Sequence, residues 1–178
     1  MPVLPDVLAP GLDIVFCGTG AGAWSARVGA YYAKPGNKFW PTLHAVGLTP
    51  HVLAPLAYRE VLGYGIGLTD VAKEHVGQDD AIDLSRVDAA ALHEKIVRYA
   101  PLRIAFTSKR AASLALGRPT SRIPYGVTGD RIGPAVVHVM TSPSGAAGSY
   151  WSLVPWQELA AARSSDVAPR VEVAPPGR

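Results

Sequence analysis

Apolar residues gather along this chain in short runs that end in glycine, threonine or aspartate. Leu12-Asp13-Ile14-Val15-Phe16-Cys17 is the first, and its near-continuous apolar character reads as a buried parallel strand. Runs at Gly65–Thr69, Leu102–Thr107 and Ala135–Thr141 predict three more strands. Between them the apolar positions take a helical period. Helices are predicted over Phe39–Val46, Pro55–Leu62, Leu84–Tyr99, Lys109–Leu116 and Tyr150–Arg163. The third has the clearest pattern. Ser85 stands in cap position with Asp88 three residues on, and Val87, Ala91, Leu92, Ile96 and Tyr99 line one face. Pro155 is expected to break the early part of the last helix. Strands alternating with helices predict an α/β fold with a mainly parallel sheet. Right-handed crossovers then gather the functional loops at the carboxyl ends of the strands.

Composition narrows the picture. The chain has 178 residues, 48% of them hydrophobic and 17% charged, which fits one domain with a sizeable core. The domain is read as 1–163. Residues 164–178, SSDVAPRVEVAPPGR, are Pro-rich and aperiodic and are expected to form a disordered tail. Lys plus Arg is 17 and Asp plus Glu is 14, a formal +3 that permits a polyanionic partner without requiring one. The single cysteine, Cys17, excludes an internal disulfide framework and a multi-Cys zinc site; inside an apolar strand it reads as inert. No two of the five histidines stand four apart, so no metal and no cofactor is expected, and His138 reads as a satisfied core residue. No secretory signal pattern and no apolar run of ~18 residues is found. A soluble, cytoplasmic monomer is expected.

Gly18-Thr19-Gly20-Ala21-Gly22-Ala23 follows the first strand and invites a dinucleotide-binding reading. That reading needs a helix to begin at once, so that its N-terminus can hold a pyrophosphate. Residues 24–37 read instead as loop, and no acid stands near the expected ribose position ~20 residues on. A tight strand-exit turn accounts for one or two glycines, but not for three with an aromatic loop behind them. Neither is there a G-x-S-x-G elbow to make Ser144 a nucleophile.

Several blocks read together say more. Asp6-Val7-Leu8-Ala9-Pro10-Gly11, the strand ending Phe16-Cys17-Gly18, Ser25-Ala26, and Tyr32-Ala33-Lys34-Pro35-Gly36-Asn37-Lys38-Phe39-Trp40 resemble the mismatch-specific uracil-DNA glycosylases, the group that includes thymine-DNA glycosylase. Gly47-Leu48-Thr49, Gly67-Leu68-Thr69-Asp70, Ser108-Lys109-Arg110-Ala111-Ala112 and Ser142-Pro143-Ser144-Gly145 extend the resemblance, which runs from about residue 6 to 160. It implies a three-layer α/β/α sandwich around a central four-stranded parallel sheet. It also implies a monofunctional enzyme that hydrolyses the N-glycosidic bond of uracil in DNA, with damaged DNA as partner and an abasic site as product. Hypoxanthine and other deaminated or alkylated bases are further candidates. A slow or non-catalytic protein that binds damaged bases or abasic sites is the alternative.

The resemblance also suggests roles. Gly18, Thr19, Gly20 and Gly22 form the pocket loop, Tyr32 stacks on the flipped base, and Asn37 touches the base edge. Tyr32 also has a reading as a core aromatic, and Asn37 as a loop brace. The family's water-positioning Asn falls on Gly20 and its Pro on Ala21, so this loop carries no side chain to hold a water. Asp70 is the candidate replacement, since a carboxylate at a strand exit can orient water; it also reads as a helix N-cap. Ser142 stands where the family has Asn or His and can donate one shorter hydrogen bond to a base. The family's wedge falls on Ala146. DNA contacts are expected from Lys34, Ser108, Lys109, Arg110, Ser144, Gly145, Ala146, Ala147 and Gly148. Lys109 and Arg110 near a helix N-terminus fit a shared phosphate, or a solvated pair.

Overall fold

The computed structural model describes residues 2–78 and 81–166. Five strands form one sheet: β1 (Ile14–Gly18), β2 (Ile66–Asp70), β3 (Arg103–Phe106), β4 (Gly126–Ile132) and β5 (Ala135–Val139). Their order is β2-β1-β3-β5-β4. The β1–β2, β1–β3 and β3–β5 pairs are parallel and β4 runs antiparallel to β5. The α/β reading holds, but the sheet has five strands and is mixed. β4 escapes the sequence pattern because it carries Gly126, Thr128, Gly129, Asp130 and Arg131, and its pairing slips between Val127 and Arg131. A bulged edge strand needs no apolar run to hold it.

Alternation along the inner strands splits the core in two. Ile14 and Phe16 share one cluster with Phe39, Trp40 and Leu43 of α2 (Phe39–Ala45) and with Trp156 and Leu159 of α5 (Val154–Ser165). Val15 and Cys17 share the other with Leu92 and Ile96 of α3 (Ala89–Tyr99) and with Ala111, Ala112 and Ala115 of α4 (Lys109–Leu116). Helices therefore cover both faces.

Several boundaries differ from the sequence reading, each for a local reason. A short helix, α1 (Ala23–Val28), follows the glycine loop directly where loop was expected. It starts without a side-chain cap and closes on Gly29 at φ 74°. The helix expected over Leu84–Tyr99 is two pieces. Asp83 caps a single 3-10 turn at Leu84–Arg86, and the Asp88 carboxylate accepts from the Ala91 amide to start α3, so neither Ser85 nor a capping box begins it. Pro55–Tyr64 is a 3-10 segment. Pro155 occupies the first turn of α5, where its missing N–H costs nothing, so it opens the helix instead of breaking it. The helix continues past the expected start of the tail: the Ser164 and Ser165 hydroxyls donate to the Ala160 and Ala161 carbonyls. The rest of that tail, 167–178, lies outside the described residues. His138 is buried as expected, but its Nδ1 has no partner, and burial followed by the charge of Arg103 lowers its pKa to about 4.

An N-terminal segment guards the β2 edge. Val7 exchanges both backbone hydrogen bonds with Leu68, at 2.9 and 2.8 Å. This approach dictates Gly67, where a Cβ would lie 2.7 Å from the Val7 carbonyl oxygen and 2.8 Å from Leu12 Cδ1. Gly67→Ala is expected to lower stability by about 1–3 kcal/mol, because a backbone carbonyl cannot swing aside as a side chain can. Urea unfolding should show the loss as a lower midpoint at unchanged slope.

Candidate active site

The carboxyl ends of β1, β2, β3 and β5 converge on a cavity of about 670 Å³. Gly18, Asp70, Thr107, Ser108 and Ser142 each follow or end one of these strands and line it. This is where a parallel sheet with crossover helices leaves a crevice. Thr19, Gly20, Gly22, Tyr32, Lys34, Asn37, Lys109, Ser144, Ala146 and Ala147 join them. Gly145 and Gly148 sit on the same 3-10 arm, Gly145–Tyr150, but do not line the cavity. Arg110 also stays off it, half-buried on α4. Thr107, Trp24, Arg27, Tyr125 and Tyr150 line it unforeseen. Thr107 was within reach of the rule that singled out Asp70, since it too ends a predicted strand.

Asp70 is the centre of the arrangement. It is 5% exposed and pairs across the ladder with Gly18. A Cβ on Gly18 would stand 2.7 Å from Asp70 Oδ1, 3.2 Å from the Tyr32 hydroxyl and 3.6 Å from Thr107 Oγ1. Gly18 is thus the opening that lets three polar groups gather at the end of β1. The chain after Asp70 forms turns, not a helix, so Asp70 caps nothing.

Part-buried charges behind Asp70 hold it. Lys73 Nζ lies 3.6 Å from Asp70 Oδ2, 3.0 Å from Asp6 Oδ1 and 2.9 Å from the Tyr31 hydroxyl. Lys95 on α3 reaches Asp6 Oδ2 at 2.5 Å, and the Thr69 hydroxyl donates to Asp6 Oδ1 at 2.7 Å. Burial alone would raise the Asp6 carboxyl, but Lys73, Lys95 and Thr69 outweigh it and hold Asp6 below its ordinary value. At Asp70 burial wins. It pushes the carboxyl up against the pull of Lys73, Asp6 adds to the rise, and the net value is about 6. The Tyr31 phenol is raised as well, by burial and then by the two carboxylates, and stays neutral.

The glycine loop is zipped to residues 71–77. The Val71 and Ala72 amides donate to the Gly18 and Thr19 carbonyls at 2.9 and 2.7 Å, and the Gly77 amide to the Ala21 carbonyl at 3.0 Å. Gly20 faces a filled space. Its Cβ would meet the Ala72 carbonyl oxygen at 3.0 Å and His75 Cβ and Cδ2 at 3.2 Å, while His75 Nε2 bonds the Gln78 carbonyl at 3.1 Å.

The aromatic loop is fixed in turn. Tyr32 takes φ 52° and stacks on Phe39 with ring centroids 3.9 Å apart, so Phe39 covers one of its faces. Its hydroxyl shares a hydrogen bond with Thr107 Oγ1 at 3.2 Å. Left-handed backbone is costly for a non-glycine residue and persists where the surroundings enforce it. Asn37 Oδ1 accepts from the Phe39 amide at 2.9 Å, which makes it a brace for this loop. Ser108 caps α4 through the Ala111 amide at 3.0 Å, and Lys109 Nζ stands 4.4 Å over the Tyr125 ring. Ser142 Oγ accepts from the Ser144 amide at 3.3 Å, and the Pro143 carbonyl from the Lys38 amide at 2.8 Å, which seats the arm on the aromatic loop.

A raised carboxyl has a signature in stability. The unfolded Asp70 loses its proton near 3.8 and the folded one near 6, so native stability falls as pH climbs through that interval. Asp70→Asn cannot titrate there. Its stability relative to the native protein is expected to rise between pH 4.5 and pH 7.5, read as the difference in thermal midpoints at the two values.

The profile of the Uracil DNA glycosylase superfamily matches residues 5–161. The fold is similar to a solution NMR structure of a protein from Methanosarcina acetivorans, described provisionally as a uracil DNA glycosylase. That match spans 92% of this chain and 96% of the other, at 23% identity and a TM-score of 0.59. With the cavity at the strand ends and the matched span covering nearly every residue that lines it, the chain belongs to the uracil DNA glycosylase superfamily.

Proposed function

We propose that this protein is a monofunctional DNA glycosylase of the mismatch-specific group. It takes uracil out of the stack into the cavity, hydrolyses the N-glycosidic bond and leaves an abasic site, the first step of base excision repair. The observation that carries the reading is Asp70. It is a carboxylate held by Lys73 at the cavity floor, beside a glycine loop whose usual water-positioning side chain is missing.

Loss of the base develops positive charge on the sugar and negative charge on the base. Ionised Asp70 faces the sugar side, where it stabilises the cation and accepts a hydrogen bond from the attacking water. The water oxygen bonds to the sugar carbon as the bond to the base nitrogen breaks. The water's proton passes to Asp70 and then to solvent, and the departing base carries the bond electrons. The Ser142 hydroxyl donates to that base, whose plane lies against Tyr32. The Thr19 and Gly20 backbone shapes the wall. Hypoxanthine and other deaminated or alkylated bases are further candidates for the same cavity. Lys73 is held by two carboxylates and a phenol, which leaves it poorly suited to attack a sugar carbon and so to cut the strand.

Excess protein incubated with a uracil-containing oligonucleotide, followed by hot alkali, reads base release as a cut strand. Asp70→Ala is expected to slow single-turnover release by about 10²–10⁴-fold, the range for a positioned base. The native rate should climb as pH passes through about 6, where Asp70 ionises. No cut after long incubation, with a retained gel shift, would favour a damaged-base or abasic-site binder instead. A native rate that does not respond to Asp70→Ala would remove Asp70 from the mechanism.

Restoring the family's asparagine offers a second check. Gly20→Asn is expected to give no gain in rate and a lower melting temperature. Its Cβ meets the Ala72 carbonyl at 3.0 Å, and that carbonyl belongs to the segment zipped to the loop. Single-turnover rate and thermal midpoint, measured on the same variant, test both halves.

A further inference from the structure

We infer that Lys73 is a positioning residue for Asp70: it ties Oδ2 so that Oδ1 faces the cavity, and Asp6 governs how much of that hold Asp70 receives. This rests on the glycosylase reading above for its effect on rate, but not for its effect on the carboxylate.

The two oxygens of Asp70 have different surroundings. Oδ2 pairs with Lys73 Nζ at 3.6 Å. Oδ1 borders the space over Gly18, 2.7 Å from where a Cβ would stand, and Gly18 lines the cavity. The last torsion of an aspartate is broad and roughly two-fold, so a carboxylate keeps one orientation only where an oxygen is tied. Lys73 supplies the tie from outside the cavity wall, which it does not line.

Lys73 is itself divided. Its ammonium lies nearer Asp6 Oδ1, at 3.0 Å, and donates to the Tyr31 hydroxyl at 2.9 Å. Asp6 is fixed from two elements. Lys95 of α3 reaches its Oδ2 at 2.5 Å, and the Thr69 hydroxyl of β2 donates to its Oδ1 at 2.7 Å. Asp6 is thus a second claimant for one ammonium, and the closer one. Lys95 offsets that claim by meeting the charge of Asp6 from the other side. Asp6 and Lys95 also line a second cavity, of about 340 Å³, whereas Asp70 is only 5% exposed. Water there lets the outer pair stay charged while the inner carboxylate depends on Lys73.

The remaining titratable groups round Asp70 carry no charge. Burial raises the Cys17 thiol on β1 and the Tyr31 phenol, and both stay neutral. The Tyr32 hydroxyl shares its hydrogen bond with Thr107. Ionisation of Asp70 is therefore set among burial, Lys73, Asp6 and Lys95. Burial raises its carboxyl most, Lys73 opposes the rise, Asp6 adds to it and Lys95 lowers it.

Carbon-13 NMR of the Asp70 carboxyl, followed through a pH titration of the DNA-free protein, tests this. Lys73→Met is expected to raise the midpoint by at least about one pH unit and Asp6→Asn to lower it by about as much, opposite shifts from the loss of opposite charges. Lys73→Arg keeps the charge and should titrate near the native value. In the single-turnover base-release assay the pH profiles should move in the same directions. Lys73→Met should also lower the plateau rate, reached well above its own midpoint, by about tenfold or more, because an ionised but untied carboxylate is no longer aimed. Circular dichroism melting shows whether each variant is folded; Lys73→Gln, which keeps a donor for Asp6 and Tyr31, replaces Lys73→Met if that variant unfolds. A midpoint unmoved by loss of Lys73, the same direction of shift in both variants, or a native plateau without Lys73 overturns the inference. Shifted midpoints in a protein that releases no base sink the glycosylase and spare the hold on Asp70. Release that needs Asp70 at a midpoint indifferent to Lys73 does the reverse.

Discussion

A carboxylate at the end of a buried strand is expensive to ionise, and this molecule answers with a small neutral cluster. Asp6 and Asp70 share Lys73, and Lys95 balances Asp6 from the far side. Three of its members are part-buried, but Asp70 is buried, and removing Lys73 would leave that carboxylate without its nearest counter-charge. The cluster draws on the N-terminal segment, the turn after β2 and helix α3, so these three stay together or not at all. It also sets the acidity of Asp70, the one acid that lines the cavity among the described residues.

Two glycines of the cavity loop, Gly18 and Gly20, sit in close packing. Gly18 is small because Asp70, Tyr32 and Thr107 lean into the space above it. Gly20 is small because His75 and the Ala72 carbonyl already occupy the neighbouring space. A missing side chain at such a position is thus a consequence of the turn that follows β2. That turn brings in both Lys73, beside Asp70, and His75, beside Gly20.

Much of this was legible in the sequence. The inner strands β1, β2, β3 and β5 announce themselves as apolar runs, and the parallel-sheet rule then points to their carboxyl ends. Asp70 and Ser142 were reachable that way. β4 was not, because an edge strand with glycines and charges carries no hydrophobic signature. Helix α1 was missed because it is six residues long, uncapped and bounded by glycine. Lys73 stands only three residues after Asp70, but Asp6, which shares that lysine, meets Thr69 across 63 positions of sequence, and no local pattern encodes such a meeting. Asn37 and Ser108 line the cavity, yet their side-chain oxygens are occupied by backbone amides, a detail that only geometry supplies.

The N-terminal segment that closes the β2 edge has a consequence for how the molecule comes into being. Asp6 is separated from both Lys73 and Lys95 by long stretches of chain. Contacts of such separation carry a loop-closure cost before they give any return, which makes them late events in folding. The charge cluster behind Asp70 is therefore complete only when α3 brings Lys95 to Asp6.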